Sequence, residues 1–173
     1  TIAAQVAYPG RQCVAFVGDG GFSMLMAEFP QCVKYQLPVK VVIVTGAVRG
    51  DGTSRYYVAE NFSTIAHGEI INALKQAADA LDVRYHLGWI FTTDALFQET
   101  PELIRQLHQQ NISGIDMVTS TFLTIAQVRG RKAGAILAVS DECLHGKFGF
   151  RDPQFFEAEK KTIEVARKAL QYL

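Results

Sequence analysis

The stretch Val39-Lys40-Val41-Val42-Ile43-Val44 follows the helix-breaking pair Leu37-Pro38 and contains only one polar residue. A short β-branched run that is apolar on both sides predicts a strand buried on both faces. Two further runs, residues 13–17 and 132–140, show the same pattern, and each is followed by turn-forming or polar residues. These runs predict the centre of a covered sheet.

Segments with helical spacing alternate with the strands along the whole chain. Thr100-Pro101 predicts a helix start, with threonine as N-cap and proline at the first helical position. Alternating strands and amphipathic helices predict a three-layer α/β fold, with a mostly parallel sheet of about five strands covered by helices. We expect one domain over residues 1–173, with residues 46–63 as a long ordered loop. Strands are predicted near residues 12–17, 39–45, 85–93, 113–117 and 133–140, and helices near 22–35, 69–81, 100–110, 119–128 and after 152.

Composition narrows the class of protein. The 173 residues carry 17 basic and 17 acidic side chains, a balance that argues against nucleic acid as the main partner. The longest apolar runs are far shorter than the ~20 residues that span a bilayer, so no membrane association is expected. Three cysteines without metal-ligand spacing indicate reduced thiols, a cytoplasmic protein and no metal site.

The first 44 residues carry a resemblance of their own. Residues 4–12, the stretch Val17-Gly18-Asp19-Gly20-Gly21-Phe22 and residues 35–42 are similar to thiamine-diphosphate enzymes of the pyruvate oxidase and acetolactate synthase type. The resemblance implies that Gly18, Asp19 and Gly20 correspond to the family's cofactor motif, in which the aspartate binds Mg²⁺.

The closing asparagines of that motif are absent, because Thr45-Gly46 occupies their position. Mg²⁺ demands six oxygen ligands, and Asp19 alone is a poor anchor. We therefore interpret Gly18, Asp19 and Gly20 as a vestigial motif or a plain strand-to-helix turn, and expect neither thiamine diphosphate nor Mg²⁺ to bind.

The larger part of the chain carries a second resemblance. The stretch Thr45-Gly46-Ala47-Val48-Arg49-Gly50-Asp51-Gly52-Thr53-Ser54-Arg55-Tyr56-Tyr57-Val58 resembles the uridine and purine nucleoside phosphorylase family, as do residues 91–94, 115–117 and 135–141. The resemblance covers residues 41–173. It implies attack of phosphate on the ribose anomeric carbon with release of the free base, so nucleoside and phosphate are the expected partners, together with homo-oligomer formation.

Four residues are assigned by this resemblance. Asp141 matches the residue that protonates or hydrogen-bonds the leaving base, although a turn cap is an equal alternative. Ser140 matches the flanking serine, and Met117 matches the methionine under the ribose. Phe97 falls where the family places an aromatic against the base. A core position is the more common meaning of a methionine such as Met117, and Phe97 is also compatible with a core position.

Two departures from the family pattern concern binding. Val118 stands where the family has a glutamate that grips the ribose hydroxyls. The family's phosphate loop and Arg-x-Gly-Thr strand have no counterpart in this sequence. Arg49, Arg55 and Arg151 are candidate phosphate contacts, or else solvated charges and loop ties.

The two resemblances meet at Val41–Val44, where both families have a β-branched strand. We interpret the chain as recombined from a segment at residues 1–44 and a phosphorylase-like segment at 45–173. Two functions follow: a folded, engineered scaffold without efficient catalysis, or a nucleoside phosphorylase with weak or altered activity.

Overall fold

The computed structural model describes residues 41–142, 147–148 and 153–173. In this part the chain forms strands β1 (Val41–Gly50), β2 (Thr64–Ile65), β3 (His86–Thr93), β4 (Ile112–Asp116), β5 (Ala135–Ala138), β6 (Asp141–Glu142) and β7 (Lys147–Phe148). The helices are α1 (Gly68–Ala80), α2 (Pro101–Gln109), α3 (Thr119–Val128) and α4 (Pro153–Ala169). Single 3₁₀ turns lie at Thr53–Tyr56, Leu96–Gln98 and Leu170–Tyr172.

Five of these strands form one sheet. Its order is β2-β1-β3-β4, and β5 also pairs with β1. Strands β1, β3 and β4 run parallel, whereas β2 and β5 are antiparallel to β1. Since parallel strands end at the same edge, the residues after β1, β3 and β4 share that edge of the sheet.

Helices pack on the sheet through small apolar clusters. Val41 and Ile43 at the start of β1 lie in one cluster with α1 and α4. Farther along β1, Ala47 packs with Leu123 of α3. Helix α2 packs on β4 through a third cluster, which includes Ile115. The predicted α/β fold with a five-stranded, mostly parallel sheet is thereby confirmed.

The predicted end of the strand at residues 39–45 was wrong. Strand β1 continues to Gly50, so residues 46–50 belong to the sheet and not to the loop. Their glycines leave room for aromatic rings from β3. A Cβ atom on Gly46 would lie 2.8 Å from the Trp89 ring, and one on Gly50 would lie 2.3 Å from the Phe91 ring. Glycine, read as a loop residue in the sequence, is here required by close packing.

The remaining predictions hold to within a few residues or lie outside the described part. Helix α2 begins at Pro101, and its N-cap Thr100 accepts a hydrogen bond of 3.3 Å from the Leu103 amide, as predicted. The short β2 and the β6-β7 hairpin were not predicted. The predicted strand at 12–17 and helix at 22–35 lie outside the described residues, and the single-domain assignment of 1–173 stays a prediction.

Candidate active site at the carboxyl edge of the sheet

The loop after β1 begins with a buried carboxylate. Asp51 is 1% exposed and accepts hydrogen bonds from the Ser54 amide at 2.6 Å and the Ser54 hydroxyl at 3.0 Å. It also accepts one from the Thr121 hydroxyl at 2.7 Å and one from the Ser120 hydroxyl. Burial alone would raise the pKa of Asp51, but these hydrogen bonds together outweigh it and hold the pKa below the usual value.

A second buried carboxylate ends β4. Asp116, also 1% exposed, accepts hydrogen bonds from the Thr92 hydroxyl at 2.6 Å, the Thr119 amide at 2.8 Å and the Val118 amide at 3.3 Å, and another from the Thr119 hydroxyl. The Thr92 oxygen in turn accepts a hydrogen bond of 3.0 Å from the Ser120 amide. Burial raises the pKa of Asp116, and here the hydrogen bonds offset it only in part.

Both carboxylates contact the amino end of α3, Asp116 through the Val118 and Thr119 amides and Asp51 through the Ser120 and Thr121 hydroxyls. The first amides of a helix lack partners within the helix, and negative charge near them is favourable. An ionised carboxylate offers about four acceptor sites, and Asp51 and Asp116 each accept four hydrogen bonds. Both groups therefore shape the site instead of presenting an oxygen to a substrate.

Arg49 holds the loop that leaves β1. Its Nε donates to the Ser54 hydroxyl at 2.9 Å. Its Nη1 donates to three carbonyl oxygens of the same loop, those of Ala59 at 2.7 Å, Glu60 at 3.3 Å and Phe62 at 3.4 Å. Arg55, in the 3₁₀ turn, is exposed. These contacts agree with the loop-tie interpretation of Arg49, and phosphate binding by either arginine stays a prediction.

Two of the predicted substrate contacts lie at the carboxyl edge. Met117 follows β4 and is half-buried, as is Val118 at the N-cap of α3. Phe97 lies in the turn after β3, and its side chain is 96% exposed. The buried-core alternative for Phe97 is therefore wrong. Contact of Met117 and Phe97 with ribose and base stays a prediction.

Ser140 and Asp141 follow a strand that ends at the other edge of the sheet. Ser140 donates a hydrogen bond of 2.7 Å to Asp141, which is 6% exposed. Strand β5 runs antiparallel to β1, with Ala138 opposite Val41, so the chain after β5 leaves the sheet beside the start of β1. Met117 follows Asp116, the last residue of β4. Asp116 lies opposite Thr92 of β3, and Thr92 lies opposite Arg49 near the end of β1. The register thus places the ends of β5 and β4 at opposite ends of β1, and contact of Ser140 and Asp141 with a base stays a prediction.

No role was assigned from the sequence to Asp51, Asp116, Ser120 or Thr121, which are joined by buried or half-buried polar contacts at this edge. Asp116 had a usable signal, because an aspartate shortly before a helix often accepts hydrogen bonds from backbone amides two or three residues later. Two of the partners of Asp51, Ser120 and Thr121, lie 69 and 70 positions away in sequence. Gly18, Asp19, Gly20 and Arg151 lie outside the described residues, so the structure gives no geometry for them.

The described residues contain neither a metal-binding cluster nor a membrane-spanning helix. No group of three or more histidine, cysteine or acidic side chains in that part is arranged to hold a metal ion. No helix there has the length and apolar character needed to cross a membrane. The expected cytoplasmic location stays a prediction.

With this geometry in view, comparison with known proteins is informative. Residues 35–173 match the model of the phosphorylase superfamily.

The chain belongs to the phosphorylase superfamily.

A uridine phosphorylase of Thermococcus kodakarensis is 31% identical over 146 residues, which cover 77% of this chain and 50% of that protein. The chain thus spans about half the length of this relative. A solved purine nucleoside phosphorylase from Toxoplasma gondii, in complex with immucillin-H, superposes with a TM-score of 0.72. It covers 83% of this chain and 59% of its own, at 22% identity, so that likeness concerns the fold.

A separate, short match concerns another kind of protein. A thiamine pyrophosphate-containing protein of Bacillus subtilis is 56% identical over 43 residues, which cover 25% of this chain and 8% of that protein. This agrees with the resemblance noted in residues 1–44. The recombined origin of the chain stays a prediction.

Proposed function

We propose that this chain acts on nucleosides as a phosphorylase of low activity. In this reaction a phosphate oxygen forms a bond to C1′ of the ribose while the bond from C1′ to the base nitrogen breaks. The base leaves with the bonding electron pair and takes up a proton, which gives ribose 1-phosphate and the free base. The observation that carries the proposal is the family match over residues 35–173, supported by relatives that are themselves nucleoside phosphorylases.

The carboxyl edge of the sheet is the proposed place of binding. Met117, fixed between the buried Asp116 and the first turn of α3, provides a half-buried apolar contact for the ribose. Phe97 presents an exposed ring after the neighbouring strand, available to stack on the base. Arg55 offers an exposed positive charge on the adjacent loop for phosphate.

Two features account for low activity. Val118 supplies no oxygen to the ribose hydroxyls, and a site that has lost such a partner discriminates and positions poorly. Asp141 follows β5, which ends beside the start of β1, whereas Met117 follows the end of β4 at the opposite edge; this separation of the strand ends favours weak proton donation to the leaving base. Positioning of two reactants is worth up to ~7–11 kcal/mol of the barrier, so these losses cost several decades of rate.

Self-association belongs to the proposal. Tyr56 is 90% exposed on the loop after β1, and Phe97 is exposed on the loop after β3. The Gly52 amide donates a hydrogen bond of 2.6 Å to Asp94, which joins the two loops. Neighbouring exposed aromatic side chains are typical of protein interfaces. Sedimentation should therefore report species larger than the 19.1 kDa chain, whereas a monomer alone at micromolar concentration would contradict self-association.

A second candidate is a folded scaffold without catalysis. It is favoured by Val118 and by the short match, over 43 residues, to a thiamine pyrophosphate-containing protein. Incubation with uridine, inosine or adenosine, with and without phosphate, separates the two candidates. Phosphate-dependent release of free base, reduced in an identically purified Met117→Ala variant, supports the phosphorylase. The scaffold is supported if no base is released and calorimetry detects no nucleoside binding.

A further inference from the structure

Asp51 joins two elements that are far apart in sequence. On one side it accepts the amide and hydroxyl of Ser54, in the loop that follows β1. On the other side it accepts the hydroxyls of Ser120 and Thr121, in the first turn of α3. All four donors are uncharged. The Arg49 Nε donates a hydrogen bond of 2.9 Å to the Ser54 hydroxyl, which in turn donates to Asp51. The guanidinium is therefore linked to the carboxylate through this one hydroxyl.

The contacts continue from α3 toward the proposed ribose site. The Ser120 amide donates to the Thr92 oxygen, and the Thr92 hydroxyl donates to Asp116. The other Asp116 oxygen accepts the amides of Val118 and Thr119. Each link in this path is buried or half-buried, so water does not readily replace a lost partner. The position of the turn that carries Met117 and Val118 thus depends on both carboxylates.

We propose that Asp51 is a positioning residue: its carboxylate fixes the first turn of α3 and thereby the Met117–Thr119 turn on which nucleoside binding depends. The nucleoside part of this inference rests on the proposed function. The positional part concerns the fold alone. Four hydrogen bonds to one ionised group are a stronger restraint than four neutral pairs. We therefore expect the turn to respond to the charge at this position and not only to its volume.

The test uses the full chain with Asp51→Ala and a matched control, Asp94→Ala. Asp94 follows β3 and accepts a hydrogen bond from the amide of Gly52, which lies next to Asp51. It is exposed and makes no described contact with α3. Hydrogen exchange of the Val118, Thr119 and Ser120 amides should become at least about tenfold faster in Asp51→Ala, beyond any global change, and stay within about twofold in the control. Sodium formate, which supplies a carboxylate to the vacated space, should restore slow exchange, whereas sodium chloride of equal ionic strength should not.

A second variant covers the case in which Asp51→Ala does not fold. Ser120→Ala removes one link at the α3 end, keeps the carboxylate, and should accelerate the Thr119 amide in the same sense. Unchanged exchange at the turn in the variant that folds would overturn the inference. So would accelerated exchange in Asp51→Ala that formate and chloride affect alike, because the carboxylate would then not be the cause.

Nucleoside binding is measured on the same samples by titration with uridine and inosine. The dissociation constant should rise at least about tenfold in Asp51→Ala, with recovery in formate, and stay within about twofold in a separate binding control, Glu164→Ala, which removes an exposed carboxylate of α4. Unchanged affinity despite faster exchange would remove the link to binding and overturn the inference. If the unmodified chain binds neither nucleoside, the proposed function fails, and the exchange experiment still decides whether Asp51 positions the turn.

Discussion

Replacement of Asp116 by alanine removes four accepted hydrogen bonds from one buried point. The Val118 and Thr119 amides lose their cap, and the hydroxyls of Thr92 and Thr119 lose an acceptor. Loss of a helix cap costs about 1 kcal/mol, with a range of roughly 0.5–2. Each buried polar group left without a partner costs about 1–3 kcal/mol.

Two effects reduce the total. The Thr92 hydroxyl still accepts the Ser120 amide, so that oxygen keeps one partner. Removal of Asp116 also relieves the burial of a charge, the same effect that raises its pKa. We therefore expect a net loss of about 2–4 kcal/mol in the free energy of unfolding, out of a typical total of about 5–15.

Urea unfolding followed by circular dichroism measures this loss, with Asp94→Ala as the control for removing an exposed aspartate. The control should change the free energy of unfolding by less than about 0.5–1 kcal/mol. Asp116→Asn, which keeps one carbonyl oxygen, should fall between the wild type and alanine. A loss below about 0.5 kcal/mol for Asp116→Ala would refute the argument, because the hydrogen-bond network would then not stabilise the fold.

Three further predictions concern substitutions at Gly88, Asp51 and Val118. Gly88→Ala places a Cβ 2.0 Å from the Ser113 hydroxyl and should cost about 1–3 kcal/mol of stability, whereas Gly68→Ala, with no atom within 4 Å, should cost less than about 0.5 in the same urea experiment. The pKa of Asp51 is lowered in the folded state, so the stability that its carboxylate contributes is present above the unfolded pKa of 3.8 and is lost as the pH falls through the folded pKa. Asp51→Asn should therefore flatten the loss of stability on acidification below pH 3.8. An unchanged slope would contradict this. Val118→Glu should tighten uridine binding by about tenfold in calorimetry without restoring rapid turnover, and Val118→Leu should not tighten it.

The fold could be predicted largely from local signals. The β-branched run at Val41–Val44 predicted a buried strand, and Thr100-Pro101 predicted the start of α2 to the residue. Both signals act within a few residues of where they are read. The end of β1 could not be found this way, because Gly46 and Gly50 pack against the rings of Trp89 and Phe91, about forty residues later.

The candidate site was less accessible to sequence reasoning for the same physical reason. Asp51 gains its role from Ser120 and Thr121, which reach it only when α3 packs beside the end of β1. Met117 was assigned by resemblance; it lies at the carboxyl edge of the sheet, and its contact with ribose stays a prediction. Asp141 was assigned in the same way, but strand direction decides its location, and an apolar run does not reveal whether its strand is parallel or antiparallel.

Phosphorus NMR of the chain mixed with inosine or uridine and excess phosphate tests directly whether the chain cleaves nucleosides with phosphate. Ribose 1-phosphate, the product, has a resonance distinct from that of inorganic phosphate. The account predicts slow growth of this resonance in step with release of free base, at a rate several decades below the ~10 per second of a typical enzyme. It also predicts a lower rate for Met117→Ala from the same purification. Absence of ribose 1-phosphate, or base release that does not depend on phosphate, would contradict the account.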